Sequence, residues 1–479
     1  VIAAPASQAP VAYAEGAAAV FRTLLDVIKS ARRSLVVQMY LFAGNDELSF
    51  IQPQHGAFPY AQRMADALIA QRQRGVDVVV VVDSQTPDDV RRGNARGPLT
   101  RHRLRAAGVV VLNACLWRTR FNRARRFPPA ARFHEPDVHG GVDVDAFVAR
   151  QQRWQALHNV EDHRKNIVVD GGRCAVVTSH NFIDVASTWH ENAFVLFGAP
   201  VRAVRDLVHA AVVDALALPQ PLDAAGRADV DAVLADRDDV DDDDDDDVDV
   251  DPGNDNDVDD VDDDGAGAGA LGGDVNARAP RRVVPVEVLD TLAIKPRLLA
   301  AIAATPAGGT IRAASTYFAD VALFDAFVDA ARRGVRVQIL IDTCTALPLK
   351  PLYAWIVRTF ANLRVLRRAV DVDVDAFDLR VHASGARDMM HVKTALFAAE
   401  GRQVLVGGHA NYTPNSFDGA WLETNVMVEH PEAAAIFAAC FDARFARARA
   451  VRTFGRRARL EMALAMPLLR LFAWLGVSP

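Results

Sequence analysis

Two distant stretches of the chain repeat one another, and this repeat limits the fold more than any other feature. Gly75-Val76-Asp77-Val78 leads through an apolar run to Asp83, and Gly334-Val335-Arg336-Val337 leads through another to Asp342. A segment with helical patterning that ends in Arg precedes each, residues 61–74 in the first half and 321–333 in the second. Both apolar runs are continuous rather than alternating, which is the pattern of a strand covered on both faces. Further upstream, Phe21, Leu24, Leu25 and Ile28 fall on one helical face and run into a strand-like stretch over 35–40. The second half echoes this less cleanly over 298–304 and 311–315. Helix and buried strand alternating in two separate places predict an α/β protein built from two similar α/β/α lobes.

The chain has 479 residues, more than one ordinary core organises, in keeping with two domains. Its 51% hydrophobic and 24% charged residues are a globular balance, without the uninterrupted apolar run that a membrane span needs. The formal charge of −7 hides an asymmetry. Residues 236–264 hold nineteen Asp against one Arg, −18 in a single segment, so the remainder carries +11. A basic body suits an anionic partner such as phospholipid or nucleic acid, or is simply a solvated basic surface. Cys115, Cys174, Cys344 and Cys440 lack any C-x-x-C spacing, which argues against a disulfide framework or a zinc site. The chain opens at Val1 with no basic-then-apolar leader, so the compartment is not read from that end.

The Asp run and the Gly/Ala-rich stretch after it bury too little apolar surface to fold and repel themselves. Residues 223–282 are therefore expected to be a disordered linker between a first lobe over 1–222 and a second over 283–451, with a basic and apolar tail over 452–479. The acidic spacing lacks the central Gly and closing Glu of a calcium-binding loop.

The chemistry lies in a second, matching repeat. In the first half His163 and Lys165 are followed by Asp170, then by Thr178-Ser179-His180-Asn181, then by Glu191. In the second half His391 and Lys393 are followed by Gly408-His409-Ala410-Asn411 and Glu423, with two extra residues between the paired segments. Residues two apart on a strand share a face, so each half gathers an imidazole, an ammonium and an amide in one small volume. A lone buried His or Lys is usually a satisfied packing residue, but the pair recurring at the start of an apolar strand is a poor packing choice.

These residues resemble the phospholipase D superfamily, whose motif is H-x-K-x4-D followed by G-S-x-N and a later Glu. The likeness covers both lobes. Within that superfamily the stretch from His163 to Asn181, Gly198 to Val201 and the opening Gln38 to Phe42 look most like bacterial cardiolipin synthases and related phosphatidyltransferases. The resemblance implies one active site between the lobes, where one imidazole attacks phosphorus to form a phosphohistidine and the other protonates the leaving alkoxide. Lys165, Lys393, Ser179, Asn181 and Asn411 would bind the phosphoryl oxygens, and Glu191 and Glu423 would each hold an imidazole by its second nitrogen. Neither metal nor cofactor is implied. Asp170 completes the motif but should face away from the pair and act structurally.

The second half departs from the pattern. Ala398 stands at the Asp position, with Glu400 the nearest acid, and His409 stands at the Ser position. The complete first motif favours His163 as nucleophile and His391 as acid. The expected activity is metal-independent phosphatidyl transfer of the cardiolipin synthase kind, on anionic lipids such as phosphatidylglycerol, peripheral to the bacterial cytoplasmic membrane. The alternatives are hydrolysis of lipid or nucleic-acid phosphodiesters by the same machinery, and a non-catalytic lipid-binding module. Nucleic acid is the less favoured partner, and oligomeric state is not read. Arg118 to Phe133, where Arg and Phe interleave, and the tail with Arg452, Arg456, Arg457 and Arg459 before an apolar stretch, are the segments suited to headgroups or an interface. The first is equally an exposed basic loop, the second a helix packed on its lobe.

Overall fold

The computed structural model describes residues 7–44, 47, 58–83, 100–114, 161–216, 222–236, 282–343, 362–382, 388–419 and 421–451. The Arg- and Phe-rich segment over 118–133, the Asp run from 237, the Gly/Ala-rich stretch and the C-terminal tail, together with Cys115 and Cys344, lie outside the described residues.

The first lobe contributes seven strands: β1 (Ser7–Glu15), β2 (Ser34–Met39), β3 (Asp77–Asp83), β4 (Val110–Ala114), β5 (Lys165–Val169), β6 (Cys174–Thr178) and β7 (Asn192–Leu196). The second contributes β8 (Val283–Asp290), β9 (Thr310–Ser315), β10 (Arg336–Asp342), β11 (Phe377–His382), β12 (Lys393–Ala399), β13 (Arg402–Gly408), β14 (Thr424–Val428) and a short β15 (Arg449–Ala450). They form one fifteen-stranded sheet ordered β15-β11-β10-β9-β12-β13-β14-β8-β1-β7-β6-β5-β2-β3-β4. Outward from its centre, β1-β7-β6-β5-β2-β3-β4 mirrors β8-β14-β13-β12-β9-β10-β11, so the lobes are two copies of one topology. They join edge to edge through antiparallel β1 and β8, with Ser7 opposite Val286 and Pro10 opposite Val283. This edge pairing satisfies backbone groups that would otherwise template aggregation.

Helices cover both faces, as continuously apolar strands require. The predicted helix–strand units are present as α1 (Ala17–Lys29), α2 (Tyr60–Gln73), α6 (Thr291–Ala304) and α7 (Val321–Arg332). The two repeat glycines, Gly75 and Gly334, both have φ of 89° just after α2 and α7. There a residue without Cβ ends the helix and turns the chain into the strand at no steric cost. One buried cluster runs across the seam, with Phe194 and Leu196 of the first lobe packed with Val426, Val428, Phe437 and Phe441 of the second. At Gly407 an added Cβ would lie 2.7 Å from Thr394 Oγ1 on the neighbouring strand and 3.1 Å from the Phe194 ring of the first lobe, so a side chain there would have to displace one or both. No helix among the described residues is long and apolar enough to cross a membrane.

The structure corrects the sequence reading at the linker. The expected linker begins with α5 (Ala224–Ala235), capped by the Asp223 side chain and docked on the first lobe through buried Val230 and Val233 and an Arg72–Asp229 ion pair of 2.7 Å. Three-residue spacing of Val230 and Val233 is a helical signal that the neighbouring Asp run overwhelms in a compositional reading.

The motif's acid is placed as the sequence reading expected, away from the paired His and Lys. The Asp170 carboxylate accepts backbone N–H bonds from Arg32 at 2.9 Å, Arg33 at 2.7 Å and Ser34 at 3.2 Å, and pairs with Arg173 at 3.0 Å. It pins the entry to β2 at the far end of β5, which makes it structural and not part of the reacting group. Glu400 does not replace it. The second hairpin has strands of seven residues in place of five and a two-residue turn, Glu400 at φ 51° and Gly401 at φ 78°. Both are positive, as the twist of such a tight hairpin demands, and the Glu400 side chain is exposed. Because three backbone donors converge on the Asp170 carboxylate, Asp170→Ala is expected to lower unfolding free energy by about 3 kcal/mol. Glu400→Ala is expected to change it by under about 0.5 kcal/mol. Urea denaturation of both variants checks the difference.

Candidate active site

The two His-Lys motifs meet at the seam. His163 and His391 lie two residues before the strands that carry Lys165 and Lys393 at their first positions, slightly outside the predicted strands. Short pairings between the lobes set this arrangement: residues Glu161–Asp162 run parallel to Trp421–Leu422, and His190 bridges Met390. His163 N–H donates to Leu422 O at 3.1 Å and His391 N–H to His190 O at 2.8 Å, so each His-Lys segment hangs from the backbone of the opposite lobe.

The carboxylates cross over in the same way. His163 Nδ1 lies 3.0 Å from Glu423 of the second lobe, and His391 Nδ1 lies 2.7 Å from Glu191 of the first. Each imidazole is thus held at its second nitrogen as the motif implies, but by the acid of the other half. Both Glu side chains are fully buried and both imidazoles are 7% exposed. With Nδ1 engaged, Nε2 is the nitrogen left for chemistry. Lys165 Nζ donates to His163 O at 2.6 Å, Lys393 Nζ makes the same bond to His391 O, and both ammonium groups are buried.

Burial pushes the carboxyls of Glu191 and Glu423 up to about 8, against the pull of the two lysines and of a serine donor on each. Burial, followed by the charges of Lys165 and Lys393, holds both imidazoles well below their ordinary value. The result is two buried proton-sharing pairs beside two buried ammonium groups, a setting suited to an anion.

Asn181 and Asn411 follow the strands β6 and β13. Among the described residues, neither polar atom of the buried Asn411 amide has a hydrogen-bond partner, nor does Asn181 Oδ1. Ser179 is differently placed from its expected role. Its Oγ donates to Glu191 Oε2 and accepts from Asn192 N–H at 2.9 Å, so it is turned toward the carboxylate and not toward a ligand. The sequence reading missed the aromatic walls. Trp421 stacks on His163 with centroids 5.1 Å apart, Tyr40 meets it edge-on at 4.6 Å, and Trp189 packs on His391 at 4.9 Å. Ser416, whose Oγ donates to Glu423 Oε1 at 2.8 Å, was missed as well. Nothing in the spacing marks these residues, because their place depends on how the lobes mate.

Among the described residues one mixed cluster has metal-ligand chemistry: Glu15, His190 and Cys440 bring ligand atoms within 4.8 Å of one another. The Glu15 carboxylate is already engaged by the Tyr13 hydroxyl at 2.6 Å and by His190 Nε2 at 2.7 Å. Arg444 lines the same cavity, where its charge opposes a cation.

The family model described as "Cardiolipin synthase, PLD-like domain" matches residues 24–207 and 300–445, most of both lobes. The chain belongs to this phospholipase D-like family, and is an enzyme of phosphodiester chemistry. No curated protein sequence matches it significantly. Among solved structures, phosphatidylserine synthase from Haemophilus influenzae is similar over 98% of this chain and 93% of its own, with 10% identity and a TM-score of 0.55, a likeness of fold. Polyphosphate kinase from Porphyromonas gingivalis is similar over 91% of this chain and 50% of its own, with 12% identity and a TM-score of 0.45. The phospholipase D family member Nuc from Salmonella typhimurium aligns with 36% of this chain and 99% of its own, at 20% identity and a TM-score of 0.27.

The paired geometry fixes a pH response. Where one imidazole acts as nucleophile and the other as acid, the first pair must have lost its transferable proton while the second still carries one. With both carboxyls pushed to about 8, the state with one proton between the two pairs is centred near that value. Below it both pairs are protonated, above it neither is. Phosphodiester turnover is expected to follow a bell centred near pH 8, measured by product release under saturating substrate. A rate independent of pH across that range contradicts the proton-sharing pairs.

Proposed function

We propose that this enzyme transfers phosphatidyl groups between alcohols through a phosphohistidine, in the manner of a cardiolipin synthase. The crosswise pairing of His163 with Glu423 and His391 with Glu191 is the observation that carries this reading. It leaves Nε2 of each imidazole clear of its carboxylate, and in the proposed reaction one Nε2 attacks phosphorus while the other protonates the departing alkoxide. Lys165, Lys393, Asn181 and Asn411 surround the charge spreading over the non-bridging oxygens. The unengaged Asn411 amide is a fixed donor of the kind such oxygens need. An acceptor alcohol then gives its proton to the second imidazole and displaces histidine from phosphorus, which restores both pairs.

His163 is assigned as nucleophile and His391 as acid. Two features favour a phospholipid as substrate: the match to the cardiolipin synthase family and the apolar aromatic walls of Tyr40, Trp189 and Trp421 beside the imidazoles. Such walls limit water, and water exclusion is what separates a transferase from a hydrolase using the same groups. Phosphatidylglycerol is the proposed donor, met as an anionic lipid at a membrane surface. The retained polar set argues against a non-catalytic binding module, since a binding surface gains nothing from two buried His–Glu pairs.

Incubation with phosphatidylglycerol vesicles in EDTA, followed by lipid mass spectrometry, tests the proposal. Cardiolipin and glycerol are expected, with turnover reduced by about 10²–10⁴-fold in His163→Ala and in His391→Ala. Phosphatidic acid in place of cardiolipin would make the enzyme a hydrolase, and no lipid turnover would overturn the lipid substrate.

A further inference from the structure

Ser179 performs two tasks in the first half-site. Its oxygen accepts the Asn192 N–H, fixing the start of β7, and its hydrogen goes to Glu191, the acid that holds His391. His409 stands at the corresponding position of the second half and lacks a hydroxyl. We propose that these tasks are divided there: His409 takes over the backbone contact, and Ser416 becomes the positioning residue that orients Glu423 and, through it, His163 of the opposite lobe.

The contacts support each half of this division. His409 Nδ1 accepts the Thr424 N–H at 3.1 Å, and Thr424 begins β14 as Asn192 begins β7. A neutral imidazole that accepts at Nδ1 carries its proton on Nε2, which lies 3.1 Å from Lys165 O. His409 therefore adds a bond that a serine could not reach, tying the second lobe to the backbone of the first lobe's catalytic lysine. Burial, followed by the charge of Lys165, holds this imidazole well below its ordinary pKa, in keeping with the neutral form.

The lost hydroxyl returns from a different element, a single helical turn over Pro414–Phe417 capped by Thr413. Ser416 Oγ reaches Glu423 Oε1 at 2.8 Å, while the same carboxylate holds His163 Nδ1. Ser416 is fully buried and its hydrogen is committed to that carboxylate. The two half-sites are thereby equal in hydroxyl–carboxylate–imidazole connectivity although their sequences differ. The consequence for turnover rests on the proposed chemistry of the two imidazoles; the connectivity does not.

The test reads the imidazoles directly. Histidines are labelled with ¹⁵N in the full-length enzyme, His163 and His391 are assigned from His163→Gln and His391→Gln, and both are titrated by NMR. The titratable and charged groups facing His163 and Glu423 are each other, Lys165, Lys393, Asp162, His391, His409 and Tyr40, and all remain in each variant below. Removing a donor from the ionised carboxylate favours its protonation. Ser416→Ala is expected to raise the proton-loss midpoint of the His163 pair by about one pH unit and leave His391 in place. Ser179→Ala is expected to do the reverse. Ser416→Cys, which keeps the shape and weakens the donor, should move His163 in the same direction by less. An unmoved His163 in Ser416→Cys, or equal movement of both imidazoles in either Ser416 variant, would overturn the proposal. Loss of turnover with no NMR change would overturn it too, whereas wild type that shows the NMR pattern without turnover would count against the phosphodiester reading alone.

Discussion

Everything at the seam depends on two buried ion-sharing contacts, His163 with Glu423 and His391 with Glu191. A carboxyl with no exposed surface is costly to keep unless a partner shares its charge, and in either lobe alone the partner is missing. The lobes complete one another electrostatically, and the site exists only when they are mated. This explains why the mating is so extensive: an edge-to-edge strand pair, an apolar cluster that crosses the boundary, backbone bonds hung from the opposite lobe, and matching side-chain bonds from Asn192 to Thr394 and from Asn166 to Thr424.

The same crossing gives the chemistry its symmetry. A reaction that exchanges one alcohol for another on phosphorus must run its second half as the reverse of its first, so the two imidazoles must be able to trade roles. A pseudo-twofold pair of half-sites provides this, because each histidine has its own carboxylate, lysine and hydroxyl. The hydroxyl is drawn from β6's end in one half and from a separate helical turn in the other. Connectivity has been kept where sequence has not.

Much of this was legible in the sequence. The Gly75 and Gly334 repeats place the central strands, because a glycine with positive φ followed by a continuous apolar run leaves few alternatives. The spacing of His163, Lys165, Glu191 and their counterparts marks the groups that meet at the seam, since buried cations recurring in pairs have no packing rationale. What stayed hidden depends on tertiary geometry. No local signal shows that each glutamate serves the other lobe's histidine, that Ser179 turns toward Glu191, or that Ser416 places a hydroxyl on Glu423 where His409 has none. The helix over Ala224–Ala235 was obscured by the Asp-rich composition beside it, and Asp170 owes its role to three backbone donors some 136 to 138 residues away.

A single covalent intermediate in a site shared by both lobes is the central claim. Acid-stable quenching is unsuitable for a phosphohistidine, so the direct measurement is alkaline quenching of the enzyme during turnover of phosphatidylglycerol, followed by peptide mass spectrometry. The account predicts one phosphatidyl adduct per chain, on His163, that is lost in Glu423→Gln although that residue belongs to the other lobe. No adduct, an adduct on a histidine outside the pair, or an adduct undiminished in Glu423→Gln would contradict it.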